Sequence, residues 1–125
     1  MLQRDWLLSS KTAWQDLWFR SITIVAMLIA VGGSIYFLWK LLPARHDSPT
    51  MVIHYNIYLG IDQIQSWHWI WFLPGIWSVL TLLDLILAYG WYRGEFHLAW
   101  SLVILSIAWS IPWFISLVYL IRINI

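Results

Sequence analysis

One carboxylate, Asp84, stands alone in a long apolar stretch of the sequence. It lies between Pro74 and Trp91, near the middle of a predicted membrane span. A charged aspartate at the centre of a membrane helix costs about 2.5–3.5 kcal/mol on insertion scales, so Asp84 is expected to face protein. Its candidate partners are hydroxyls and indoles: Thr81 of its own span, Ser106, Ser110 and Trp109 of the third span, and Thr23 and Ser34 of the first. The carboxyl either fixes helix packing, carries protons or cations, or pairs with a cation on another chain.

A second group of reactive side chains lies in the polar segment 43–68. Its ligand-type residues are His46, Asp47, His54, Asp62 and His68. These residue types suit a transition metal, but their spacing matches no compact zinc signature such as H-E-x-x-H. The alternative is a polar loop whose His and Asn side chains bond their own backbone. We therefore predict no metal and no cofactor, and the Val, Ile and Tyr content of residues 51–61 predicts strand-like structure.

Tryptophan accounts for 12 of the 125 residues. Indole prefers the headgroup layer of a membrane, because it is amphipathic. Eight of the twelve fall near predicted span ends: Trp14, Trp18, Trp39, Trp67, Trp69, Trp71, Trp91 and Trp100. Trp109 and Trp113 lie deeper and share a helix face, so they pack in the bundle or form part of an aromatic cage.

The composition excludes several classes of protein. Hydrophobic residues make up 62% of the chain and charged residues 10%, against about 25% charged in soluble domains. The apolar content excludes a disordered chain. The absence of cysteine excludes disulfide frameworks, thiolate catalysis and cysteine metal sites. No nucleotide-binding, serine-hydrolase or zincin motif occurs, and no basic patch suggests nucleic acid, so we predict a membrane protein that is not an enzyme.

Three membrane spans are predicted, at residues 21–42, 69–91 and 97–121. Between Arg20 and Lys40 lie 19 uncharged residues, about 28 Å of helix against a hydrocarbon core of about 30 Å. Between Glu95 and Arg122 lie 26 more. A membrane barrel needs about eight alternating strands, which the chain lacks. The predicted fold is an all-α three-helix membrane bundle, one domain over residues 1–125, with segment 1–20 at the membrane interface and segment 43–68 as an extramembrane loop.

The N-terminal segment has a helical pattern of its own. Apolar residues recur at helical spacing from Trp14 towards Ser21, and Ser9 or Ser10 is a candidate N-cap, with Thr12 as an alternative. The pattern fits an amphipathic helix lying in the interface, or an N-terminal extension of the first span.

Small residues follow one face of the first span. Ala26, Ala30 and Ser34 recur at every fourth position, and Gly33 adjoins them. Such a face lets helices approach closely. It serves either contacts inside the bundle or a homo-oligomer.

Basic residues near the span ends predict the orientation. The N-terminal segment and loop 90–97 carry four, and the opposite side carries three: Arg4, Lys11, Arg20 and Arg93, against Lys40, Arg45 and Arg122. This difference favours a cytoplasmic N-terminus and an outward-facing loop 43–68.

The loop carries the motif HYNIYLGID. It is similar to the loop of small bacterial membrane proteins with an HYNIY-x-GID motif. More distantly it resembles the extracytoplasmic loop of the Sdp-type immunity and signalling membrane proteins. The matching positions are Leu42, Pro43, His54, Tyr55, Asn56, Gly60 and Asp62. The stretch between Pro43 and His54 is longer here, and Gly60 is displaced by one position. The resemblance implies a bacterial plasma-membrane protein.

Together these features predict a non-enzymatic interaction or accessory subunit that presents the 43–68 loop outside. Its expected partners are the lipid bilayer and either a second copy or another membrane protein. The alternative is a small proton- or cation-coupled transporter, or a channel-like oligomer, that uses Asp84.

Overall fold

The computed structural model describes residues 2–46, 50–56 and 60–125, with the side chains of 4–44, 50–52 and 66–125. Four α-helices account for most of this chain, and a short antiparallel hairpin separates the second from the third. In chain order the elements are α1 (Leu2–Gln15), α2 (Leu17–Leu41), a 3₁₀ turn (Pro43–His46), β1 (Thr50–Asn56), β2 (Gly60–Ser66), a second 3₁₀ turn (Trp67–Trp71), α3 (Phe72–Trp91) and α4 (Phe96–Asn124). The predicted all-α class is confirmed.

Three helical segments are long and apolar enough to cross a membrane: Leu17–Leu41, Trp67–Trp91 and Phe96–Asn124. The predicted three-helix membrane bundle is therefore confirmed. The first and third helices extend beyond the predicted spans, to Leu17 and Asn124, because backbone hydrogen bonding continues past the apolar stretch into the interface. These three helices pack on one another, and together they form an integral membrane bundle.

The amphipathic N-terminal helix is also confirmed, and it is separate from the first span. Asp16 has an extended backbone (φ −73°, ψ 109°) that breaks the helix between Gln15 and Leu17. The alternative of a continuous extension of the first span is therefore wrong. So is the predicted cap at Ser9 or Ser10, because α1 already begins at Leu2.

The hairpin fills the predicted loop. β1 and β2 pair antiparallel from Thr50 opposite Ser66 to Asn56 opposite Gly60. The register is irregular on both sides of His54, where the pairing skips Ile53 on one strand and Asp62 on the other. Met51 of β1 is buried in the bundle, so the hairpin packs on the helices.

Two apolar clusters form the interior. One lies at the hairpin end and includes Phe37, Leu41, Met51, Ile70, Trp77 and Leu117. The other lies at the opposite end and includes Ala13, Phe19, Ala26, Leu85, Ala88, Ala99 and Val103. Many large apolar side chains of all three spans remain exposed on the outside, as expected where lipid covers the protein.

The small-residue face of α2 points into this interior. Ala26, Ala30, Gly33 and Ser34 are all buried among the three spanning helices. The face therefore serves contacts within one chain, and a second copy would need a different surface.

Aromatic and basic side chains mark both ends of α2. The guanidinium of Arg20 lies 5.5 Å from the ring centre of Trp14. At the other end, the ammonium of Lys40 lies 4.7 Å from the ring centre of Trp39. Such cation–π pairs suit the headgroup layer, where indole and a basic group both find polar surroundings.

Candidate functional site

Trp77 is the largest side chain buried in the bundle. Its ring lies against Gly33, where a Cβ would come within 2.5 Å of Cη2 and 2.6 Å of Cζ3. Its indole N–H donates to Ser110 Oγ at 3.2 Å. One residue of α3 thus contacts α2 with its ring and α4 with its polar edge. This arrangement fixes the relative depth of the three helices.

Two buried serines, Ser34 and Ser110, donate their hydroxyl protons within their own helices. Ser110 Oγ donates to the Ser106 carbonyl at 2.8 Å, and Ser34 Oγ donates to the Ala30 carbonyl at 2.7 Å. A serine hydroxyl has one proton but can also accept. Each oxygen therefore remains available as an acceptor across the bundle. Ser110 accepts from Trp77, and Ser34 lies 3.3 Å from Ser78 Oγ.

Asp84 is half-buried on α3 and contacts Ser106, one of its predicted partners. Ser106 Oγ lies 3.4 Å from Asp84 Oδ2 and 3.0 Å from the Leu102 carbonyl. Because the hydroxyl has one proton, it donates to one of these acceptors at a time. Ser106 can therefore donate to an ionised carboxylate, or donate to Leu102 and accept from a protonated carboxyl.

Thr81, on α3 with Asp84, adds a third buried hydroxyl to those of Ser106 and Ser110 on α4. It is 1% exposed, and its Oγ1 has no hydrogen-bond partner among the residues that the structure describes. A buried hydroxyl without a partner costs about 1–3 kcal/mol. We name Asp84, Ser106, Ser110, Thr81 and Trp77 the polar cluster of the bundle.

Ser106 and Ser110 lie on one face of α4, but neither sequence spacing nor composition indicated that Trp77 joins them. Trp109 and Trp113 instead pack edge to face, with ring centres 6.2 Å apart and planes at 61°. The contact leaves no space for a ligand between these two rings. Trp109 faces outward, and 42% of it is exposed.

The hairpin brings the backbone of the loop motif together. His54, Tyr55 and Asn56 lie on β1, opposite the β2 residues that include Gly60 and Asp62. The side chains of these five residues lie outside those that the structure describes. What the motif recognises therefore stays a hypothesis.

The side-chain amide of Asn124 bonds the hairpin to the bundle. Asn124, the last residue of α4, accepts from the Val52 N–H through Oδ1 at 2.7 Å and donates to the Val52 carbonyl through Nδ2 at 2.7 Å. Its second Nδ2 proton reaches the Leu120 carbonyl at 2.9 Å. The N–H and C=O of one strand residue point the same way, so Asn124 pairs with β1 as a neighbouring strand would. We call this contact the hairpin clamp.

The opposite end of the bundle contains a cap that was not predicted from the sequence. Asp16 Oδ1 accepts from the backbone N–H groups of Trp18 and Phe19, at 3.0 and 3.1 Å, and caps α2. Its other oxygen accepts a short hydrogen bond from the Tyr92 hydroxyl. A detectable signal was an aspartate directly before an apolar run, a common N-cap position.

Asp16 and Tyr92 shift each other's pKa through their shared hydrogen bond. The hydrogen bond from Tyr92, followed by the bond from the Phe19 backbone, lowers the pKa of Asp16 below its ordinary value of 3.8. Burial, followed by the bond to Asp16, raises the pKa of Tyr92 to about 12. Both groups lie at helix ends, outside the spans. Asp16 therefore stays ionised and Tyr92 stays neutral over most of the accessible pH range.

Among the side chains that the structure describes, no three His, Cys, Asp or Glu residues lie close enough to hold a metal. Of the five loop residues with metal-ligand chemistry, only His68 belongs to that set. The loop metal hypothesis therefore rests on side chains outside the described ones.

These features define an integral membrane protein with a three-helix bundle, an internal polar cluster and a clamped hairpin at one end. No protein-family model, curated protein sequence or solved structure matches the chain significantly. The geometry is therefore the basis for proposing a function.

Proposed function

We propose that this chain is a non-enzymatic interaction or accessory subunit of a bacterial plasma membrane that presents segment 43–68 outside. The hairpin clamp is the observation that carries the proposal. A passive connector between two spans needs no fixed structure, whereas this loop is paired, bulged and bonded to the end of α4. Holding a loop in one shape lowers the entropy lost when a partner binds.

The orientation belongs to the same proposal. α1, the start of α2 and the loop before α4 lie together at one end, where Asp16 contacts Tyr92. The hairpin and Asn124 lie at the other end. The basic-residue count favours the cytoplasm for the first end. The resemblance of the loop to Sdp-type immunity and signalling proteins supports a membrane-protein partner on the outer side.

The absence of cysteine makes the experiment direct. A single cysteine at exposed Ser66, the last residue of β2, provides one site for a photo-crosslinker and for a membrane-impermeant thiol reagent. We expect labelling from outside intact cells, and one discrete crosslinked product identified by mass spectrometry. Labelling only after the cells are opened, or a strictly monomeric product without a partner, would contradict the proposal.

The clamp makes a separate prediction. Asn124→Ala removes the donor and the acceptor that hold Val52, so we expect crosslinking from position 66 to fall by about fivefold, the equivalent of about 1 kcal/mol from a pair of net hydrogen bonds. The bundle should stay folded, since the clamp lies at its end.

Ile125→Ala is the matched control, because Ile125 adjoins Asn124 and 73% of it is exposed. It should crosslink as the parent chain does. Equal crosslinking by Asn124→Ala and the parent chain would show that the clamp does not position the hairpin.

The polar cluster favours a second candidate, a small proton- or cation-coupled transporter or channel-like oligomer. Ser106 can serve Asp84 in both protonation states, and Thr81 leaves a buried hydroxyl without a partner among the described residues. A site that exchanges protons needs a partner such as Ser106, because the carboxyl must change its protonation state without losing its hydrogen bond. The hairpin clamp is not explained by this function, so it stays the second choice.

Proteoliposomes test the second candidate. Asp84→Asn should abolish proton or cation flux and leave expression unchanged, because the amide keeps the shape of the carboxyl and cannot ionise. Glu95→Gln removes an exposed carboxylate outside the spans and should leave flux intact. If Asp84→Asn instead raises stability, and flux is seen in neither chain, the carboxyl is structural.

A further inference from the structure

A groove of about 460 Å³ opens between α1 and the C-terminal end of α3. The residues that line it include Asp5, Trp6, Ser9, Gly90, Trp91 and Arg93. It is distinct from the polar cluster and from the hairpin clamp, which lies at the other end of the bundle.

Two contacts fix the walls of the groove. Ser9 Oγ donates to the Tyr89 carbonyl at 2.9 Å and accepts from the Arg93 backbone N–H at 3.1 Å. The Trp6 indole lies against Gly90, where a Cβ would come within 2.5 Å of Nε1. The groove is thus formed by the fold before any ligand arrives.

The groove lies at the depth of lipid headgroups. Trp91 is the last residue of α3, and Arg93 lies in the short connection before α4 begins at Phe96. A membrane-spanning helix ends where the hydrocarbon layer gives way to headgroups, and tryptophan and arginine are enriched at that level. The nearest abundant ligand is therefore a phospholipid.

The groove contains one acid and one base. Asp5 and Arg93 are both exposed, and neither side chain forms an ion pair with the part of the chain that the structure describes. Opposite charges that line one groove without pairing match a ligand that carries both signs. An arginine guanidinium binds phosphate through two parallel hydrogen bonds, and a carboxylate accepts from an ammonium group.

We propose that this groove binds the headgroup of a phospholipid with a primary ammonium group, such as phosphatidylethanolamine. Arg93 holds the phosphate, Asp5 holds the ammonium, and the indoles of Trp6 and Trp91 flank the headgroup. A choline headgroup has no N–H to donate, and a glycerol headgroup has no cation for Asp5. The site therefore prefers ethanolamine over both.

Native mass spectrometry of the purified chain tests the preference with three lipids of identical acyl chains: phosphatidylethanolamine, phosphatidylglycerol and phosphatidylcholine. We expect the ethanolamine lipid to be retained about fivefold better, the upper range for an exposed ion pair. Soluble phosphoethanolamine at equal concentration should not displace it, which separates a lipid site from a site for the free headgroup. Equal retention of the three lipids, or displacement by phosphoethanolamine, would overturn the proposal.

Substitutions of the two exposed charged residues separate phosphate binding by Arg93 from ammonium binding by Asp5, and neither disturbs the core. Arg93→Gln should weaken retention of the ethanolamine and glycerol lipids alike, because both carry the phosphate. Asp5→Asn should remove the preference for ethanolamine and keep binding of the glycerol lipid. Lys11→Gln, on an exposed position of α1, should change neither. A loss of retention in Lys11→Gln as large as that in Arg93→Gln would mean that net charge alone attracts lipid.

A pair of glycines tests the shape of the groove. Gly90→Ala places a methyl group against Trp6, whereas Gly75→Ala, at an exposed position of the same helix outside the groove, meets nothing within 4 Å. We expect only Gly90→Ala to lower the ethanolamine preference. The same preference in both variants would contradict the assigned position of the headgroup.

Discussion

Replacing Gly33 with alanine is expected to destabilise the bundle by about 1–3 kcal/mol, the usual cost of overpacking a tight interior. The added methyl group would lie 2.5 Å from Trp77 Cη2 and 2.6 Å from Cζ3. The Trp77 ring cannot retreat easily, because it is fully buried and its opposite edge is bonded to Ser110. The helices must separate, or the indole must lose its partner.

The adjacent residue provides the matched control. Gly32 faces outward, and a methyl group added there would meet nothing within 4 Å. Gly32→Ala makes the same chemical change one residue away, so both variants share any effect on helix propensity. Unfolding in mixed micelles should place Gly32→Ala close to the parent chain and Gly33→Ala well below it. Equal midpoints for the two variants would show that Trp77 does not pack on α2 here.

A double substitution tests whether the steric contact with Trp77 causes the loss of stability in Gly33→Ala. Trp77→Phe removes the outer ring that Gly33 contacts, so Gly33→Ala should cost much less in that background. Contacting residues typically show coupling free energies of about 0.5–3 kcal/mol. Simple additivity of the two substitutions would point to a backbone effect at Gly33 and not to the indole.

The sequence predicted the spans because their formation depends on composition alone. Nineteen uncharged residues between Arg20 and Lys40 are enough to specify a membrane helix. How each helix is rotated about its own axis does not follow from composition. Apolar residues cover every face of α3 and α4, so composition does not indicate which hydroxyl meets Asp84. Ser106 and Ser110 were both candidates, and only the packed structure shows Ser106 in contact.

The tertiary partners of α1 were equally hard to predict. Ser9 looked like a helix cap, because serine is a common cap residue. Its hydroxyl instead bridges two backbone groups about 80 residues away, around Tyr89 and Arg93. Asp16 lies directly before an apolar run, a place that fits the cap that forms. A local pattern identifies candidates for capping, whereas the choice among them depends on contacts distant in sequence.

The contact between Asp16 and Tyr92 predicts a pH dependence of stability. The pKa of Asp16 is lower in the folded chain than its ordinary value of 3.8. An acid with a lowered pKa stabilises the fold above its unfolded pKa, and the stabilisation is lost as pH falls through the folded value. Thermal unfolding midpoints in detergent should therefore be flat near neutral pH and fall below about pH 4, where Asp16 takes up a proton more readily in the unfolded chain than in the folded one.

Variants of Asp16 separate its two roles. Asp16→Ala removes the cap of α2 and the acceptor of Tyr92, so we expect a loss of about 2–3 kcal/mol at neutral pH. Asp16→Asn is the matched control, because asparagine also caps helices but carries no charge. It should cost about 1 kcal/mol, since an acceptor remains for the cap and only the negative charge of Asp16 is lost. The stability that Asp16→Asn loses at low pH should be smaller, because asparagine takes up no proton there.

Tyr92→Phe distinguishes the hydroxyl from the cap. Without that donor, the folded pKa of Asp16 moves back towards 3.8, and the acid loss becomes smaller. It does not vanish, because the backbone N–H groups of Trp18 and Phe19 still favour the carboxylate. The stability lost at low pH should therefore be largest in the parent chain, smaller in Tyr92→Phe and smallest in Asp16→Asn. The same acid profile in all three chains would show that the pair does not form.

The alkaline side provides an independent measurement of the same hydrogen bond. The pKa of Tyr92 is raised from 10.0 to about 12 in the folded chain. A group with a raised pKa stabilises the fold below its unfolded pKa, and the stabilisation is lost as pH rises to the folded value. Stability should therefore fall between about pH 10 and pH 12. Asp16→Asn should narrow this interval without removing it, because burial is the larger cause and acts without Asp16. Absorbance of the tyrosinate band, compared with Tyr92→Phe, would assign the titration to Tyr92.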